Sequence, residues 1–73
     1  MNKQSKELAK KFGHNLRVKM EQSDIKPSQL AERLHVSKSL ISAWRSGKVL
    51  PSLTTITKLC FTMGWLIMDL IGN

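Results

Sequence analysis

Over one short stretch the chain sets Ser37, Lys38, Ser39 and Ser42 beside Ala43. Their chemistry is recognition, not bond-making. Short hydroxyls donate and accept hydrogen bonds, and a flexible ammonium donates to oxygen and nitrogen acceptors. Small side chains around one long cation let a helix sit deep in a groove and reach base edges or phosphates. Groups that could do covalent chemistry are sparse. Cys60 is the only cysteine and lies beside Leu59, with no base implied near it. His14 and His35 are too far apart to offer a zinc spacing with it. Glu21 and Asp24 form the only close acid pair and read as a charged helix end. Gly13, Gly47, Gly64 and Gly72 build no phosphate loop. We therefore expect no enzyme, no metal and no cofactor.

The chain has 73 residues, with 12 Lys plus Arg against 5 Asp plus Glu, a net charge of +7. That length gives one domain over residues 1–73, too small for a deep substrate pocket. With 41% hydrophobic and 23% charged residues, the composition is that of a globular protein. Such an excess of positive charge steers anionic partners toward the chain. The first residues are polar throughout, and the apolar stretch 59–71 is short and broken by Thr62, Gly64 and Asp69. Neither a signal peptide nor a membrane span is expected, and the expected location is the cytoplasm.

Positioning these residues requires helices. Leu8, Phe12, Leu16 and Met20 recur every fourth residue among lysines and Arg17, which predicts an amphipathic helix over about residues 5–22. The basic run 2–11 reads as the start of that helix in preference to a flexible arm. Pro27 suits the first turn of a second helix carrying Leu30, Ala31 and Leu34, and His35 suits a left-handed turn at its end. Ser37 is an N-cap for a third helix, with Leu40, Ile41 and Trp44 inward and Gly47 closing it. Ser52 caps a fourth, with Leu53, Ile56, Leu59, Cys60 and Met63 inward and Gly64 at its end. A fifth short helix follows up to Ile71. No stretch alternates as a strand does, so the fold class is all-α, with Ala31 allowing a close helix crossing and Val36 plugging the corner.

The residues Phe12-Gly13-His14-Asn15-Leu16-Arg17, Leu30-Ala31-Glu32-Arg33-Leu34, Val36-Ser37-Lys38-Ser39-Leu40-Ile41-Ser42-Ala43-Trp44 and Gly47-Lys48, followed by Pro51-Ser52-Leu53, come in a telling order. Together they resemble the helix-turn-helix domain of the phage Cro and lambda-repressor (Xre) family, over about residues 12–71. The resemblance implies a compact five-helix bundle, with the domain at 16–70 and the helix-turn-helix motif at 27–46. It also implies a homodimer that binds a palindromic operator in double-stranded DNA and regulates transcription, as a Cro-like repressor.

Carried over to this chain, the resemblance makes Ser37, Lys38, Ser39, Ser42 and Ala43 the base-reading candidates. Pro27, Ser28 and Gln29 become phosphate contacts at a helix start, with Arg17 and Lys48 as further phosphate contacts. The chain departs from the family where Met20 and Arg45 replace an Arg and a Glu that pair in many relatives, which frees Arg45 to meet a phosphate. His35 replaces the usual turn Gly, and Leu66 replaces a capping Ser.

Apolar residues accumulate at the C-terminal end: Phe61, Trp65, Leu66, Ile67, Met68, Leu70 and Ile71. They outnumber the sites a small bundle can hide, so Phe61, Trp65, Leu66 and Met68 are the dimer-interface candidates. An alternative within the same fold is an antitoxin-type regulator that binds a protein partner through this apolar segment. A third reading, a membrane-surface module using the basic first helix and the apolar tail, fits the ordered motif less well.

Overall fold

The computed structural model describes residues 3–72, with side chains from Lys6 onward. Met1, Asn2 and Asn73, at the ends of the expected 1–73 domain and basic run, lie outside the described residues. Five helices follow in order: α1 (Lys3–Gln22), α2 (Pro27–Leu34), α3 (Lys38–Arg45), α4 (Leu53–Met63) and α5 (Ile67–Ile71). Among the described residues there is no strand, and the fold is all-α. Helix α1 is the spine, packing on α3 and α5, while α2 bridges α3 and α4. Phe12, Leu16, Met20, Leu30, Leu34, Ile41, Trp44, Ile56, Leu59 and Leu70 fuse into one buried cluster, as a chain this short requires.

Four of the five helices, α1 to α4, stop in one recurring way. Every described residue with positive φ sits just past a helix end: Asp24 (φ 53), His35 (φ 57), Gly47 (φ 79) and Gly64 (φ 71). In each case the next backbone N–H reaches back five residues: Ile25 to Met20 O at 3.0 Å, Val36 to Ala31 O at 3.0 Å, Lys48 to Ala43 O at 3.1 Å, and Trp65 to Cys60 O at 2.9 Å. This left-handed stop satisfies carbonyls that a helix end leaves open, and it folds the following side chain back over the last turn. Ile25 and Trp65 are thereby buried, and Val36 packs against the core.

That device corrects one expectation. Trp65 is not part of an exposed dimer face: it is 8% exposed, and its indole N–H donates to Ser23 Oγ at 3.1 Å. Leu8 is corrected too. It is 48% exposed, and Ala9 takes its inward place. The Gly47 turn approaches α1 there so closely that a Cβ at residue 47 would lie 3.0 Å from Lys10 Cα, leaving room for only a small side chain. Leu53, expected inward, is 68% exposed, because Leu50 and Pro51 already fill the start of α4.

The tail is fastened to α1. Asn15 Nδ2 donates to Leu70 O and to Gly72 O, each at 2.9 Å. Lys19 pairs with Asp69 at 3.6 Å and lies 5.9 Å from the Trp65 ring centroid. Asp69 also accepts from Leu66 N–H at 2.9 Å, which supplies from inside the helix the cap that Leu66 cannot. Cys60 is buried in the cluster, and burial, followed by the Asp69 charge, pushes its thiol up from the ordinary value. It is placed as a packing residue.

Helices α1 and α3 touch at Gly13, where a Cβ would stand 2.6 Å from Trp44 O and 2.8 Å from Arg45 O. Both obstacles are backbone, so neither can yield without moving a helix. At Gly64, by contrast, a Cβ would meet nothing within 4 Å, and only the conformational demand of φ 71 remains. Urea unfolding should show Gly13→Ala losing about 3 kcal/mol from overpacking, against about 1 kcal/mol for the left-handed position in Gly64→Ala.

Candidate nucleic-acid interface

Helix α3 is held by its inner face. Ile41 and Trp44 are buried, and Leu40 is partly so, against α1 and α2. What remains outward is Lys38, Ser39 and Ser42, all exposed, with Ala43 half-buried between them. They line one open hollow together with Ser46 and Lys48. Lys48 is carried there by the left-handed stop at Gly47, where the other stops place an apolar residue. Ser46 was not anticipated, although it lies four residues beyond Ser42 on the same helical face. Its hydroxyl donates to Ala43 O at 3.1 Å.

Ser37 stands apart from the hollow. Its Oγ accepts from Leu40 N–H at 3.1 Å and so caps α3. This hydroxyl sets where the helix starts, and its own proton remains available to an acceptor.

At the start of α2, Pro27 occupies the first turn, and Gln29 Oε1 accepts from Lys26 N–H at 2.8 Å. The N–H groups of Ser28 and Gln29 fall in the turn that has no intrahelical acceptor, and both residues are exposed. Pro27 also lines a second groove, with His14, Arg17, Glu21 and Arg45. There Arg17 Nη1 donates to the Arg45 carbonyl, a bond between α1 and the last residue of α3 that the sequence pattern did not reveal. Met20 is buried in the core cluster.

The electrostatics are one-sided. No Asp or Glu occurs between Glu32 and Asp69, so Lys38, Arg45, Lys48 and Lys58 sit on a stretch without carboxylates. The other candidates lie elsewhere: Phe61 is 91% exposed, Leu66 71% and Met68 64%, all around the α4–α5 junction. Among the described residues, no three His, Cys, Asp or Glu side chains cluster as metal ligands, and no helix is long and apolar enough to cross a membrane.

Two short helices joined by the left-handed turn at His35 (φ 57, ψ 42), the second presenting small polar groups and cations, define a helix-turn-helix DNA-binding domain. A family model for the Cro/C1-type HTH DNA-binding domain matches residues 15–72, and the chain belongs to that family. DNA is therefore its partner, and regulation through DNA binding is its role; members of such a family typically carry no enzymatic activity. No curated protein and no solved structure matches the chain.

The serines of α3 divide by function. Ser37→Ala should cost about 1 kcal/mol in thermal or urea unfolding through loss of the cap. Ser39→Ala and Ser42→Ala should stay within about 0.5 kcal/mol, because their side chains face solvent.

Proposed function

We propose that the protein is a sequence-specific repressor of the Cro type that binds a palindromic operator as a homodimer. The observation that carries this reading is the hollow on α3, where Lys38, Ser39, Ser42, Ala43 and Lys48 meet on the face that is not used for packing. Lys38 reads a base, most simply guanine O6 or N7, and Ser39, Ser42 and Ala43 give close approach to neighbouring edges. Ser37 contributes its remaining hydroxyl donor at the helix start. Pro27, Ser28 and Gln29 present the N-terminus of α2 to a phosphate, and Lys48 contacts another. These backbone contacts fix register; the α3 face supplies sequence information.

Selection from a randomised duplex pool tests this directly. Enrichment of a palindrome with half-sites about 10 base pairs apart is expected, with Lys38→Ala relaxing one position in each half-site by about 1–3 kcal/mol. Affinity should fall with salt at a log-log slope of roughly −7 for about four phosphates per protomer.

Phe61, Leu66 and Met68 are proposed as the dimer contacts, on the strength of their exposure. Phe61→Asp should then weaken self-association in sedimentation equilibrium without lowering helicity. A second reading draws on the same exposure: an antitoxin-type regulator that seats a protein partner on these residues. A protein that remains monomeric yet forms a stoichiometric complex with a second protein, lost in Phe61→Asp, would favour it.

A further inference from the structure

We propose that the outward face of α4 is a docking groove for an amphipathic helix of another protein, one that brings a carboxylate to Lys58. The proposal rests on the second reading above, a protein partner seated on exposed apolar residues, and it names the surface and the chemistry of that partner. Helix α4 keeps Ile56, Leu59 and Cys60 in the core and leaves Leu53, Thr54, Lys58 and Phe61 exposed, with Thr57 among them. These five residues line one open cleft, and none of them lines the α3 hollow.

The cleft has the form of a helix-packing site. Leu53, Thr57 and Phe61 make one row of residues four apart, and Thr54 and Lys58 make the row beside it. A groove between two such rows accepts the ridge of side chains on a second helix, crossing at about 50°. Leu53 and Phe61 lie eight residues apart, which sets them about 12 Å from each other along the axis. The threonines between them are short enough to let an incoming helix approach closely. Phe61, 91% exposed, is the large anchor at one end.

Charge decides which helix fits. Lys58 forms no ion pair among the described residues, and no Asp or Glu occurs between Glu32 and Asp69. Were the groove filled by the same groove of a second copy, two Lys58 ammoniums would close into one apolar contact between chains of net charge +7. An acidic helix reverses the sign of that interaction: its carboxylate meets Lys58 at the rim while its apolar row covers Leu53 and Phe61. Phe61 is also a proposed dimer contact, so a docked partner and a second copy compete for it.

The probe is a displayed library of random peptides, selected against the full chain at about 150 mM salt. Enriched peptides should carry apolar residues at the i, i+4, i+7 spacing of one helix face, with Asp or Glu beside them. Their affinity should fall about tenfold in Leu53→Ser and in Phe61→Ser, with helicity by circular dichroism unchanged. Lys58→Glu should reverse the preference, toward the same peptide with Lys in place of its acid, whereas Lys6→Glu, an equal change of charge elsewhere, should not. Self-association of Leu53→Ser should match that of the wild type in sedimentation equilibrium; a loss as large as that of Phe61→Asp assigns the groove to a second copy and overturns the proposal. It is overturned as well if enriched peptides bind Leu53→Ser and Phe61→Ser undiminished, or if Lys58→Glu still prefers the acid. Peptides lost in Met68→Asp but retained by Leu53→Ser place the partner on α5: the antitoxin-type reading then survives and the groove does not. If no peptide is enriched, both fall.

Discussion

Everything the α3 surface does depends on the absence of a side chain at Gly13. The carbonyls of Trp44 and Arg45 stand where a Cβ would be, so the end of α3 lies directly on the backbone of α1. Backbone contact is stiffer than side-chain contact, because no rotamer can absorb displacement. From that point Trp44 enters the core, Arg17 reaches the Arg45 carbonyl, and the Gly47 turn runs past Ala9 and Lys10. A larger residue would push α3 away from α1 and change the angle at which its outward face is presented. The outward face of α3 is held rigid from behind, by backbone packed on backbone.

The helix boundaries were largely legible because they are written in local chemistry. Ser37 and Ser52 accept from backbone N–H groups at their helix starts, and Gly47 and Gly64 take positive φ at the ends. His35 was legible for the same reason, being a residue type that tolerates the left-handed region. Asp24 takes that conformation as well, but it closes the polar run 21–24, three residues before Pro27, and gives no distinct sign. The outward face of α3 followed from the inward one once Ile41 and Trp44 were assigned to the core.

What escaped the sequence depends on contacts between distant segments. Leu8 and Ala9 both satisfy a helical period, and only the nearness of the Gly47 turn decides that the smaller one faces in. Trp65 looked like surplus apolar surface until the geometry of the stop at Gly64 turned it under the bundle. The Asn15 clasp on Leu70 and Gly72 spans 55 and 57 residues, a pairing that no local pattern encodes. Arg17 reads as one more surface cation, and its bond to Arg45 depends on the crossing at Gly13.

Fastening the tail to α1 also has a consequence for the order in which the molecule can be made. Synthesis delivers α1 well before the groups that close over it, Trp65, Leu70 and the two carbonyls held by Asn15, which lie 55 and 57 residues beyond that asparagine. Contacts of such long sequence separation form late, after the entropy of closing a large loop has been overcome. The apolar stripe of α1 therefore has no complete cover on the ribosome while residues 65–72 are still in the exit tunnel. A nascent chain can hold the α2–α3 pair without holding it in its final place, so competence to recognise DNA should arrive abruptly, with the last turn of helix.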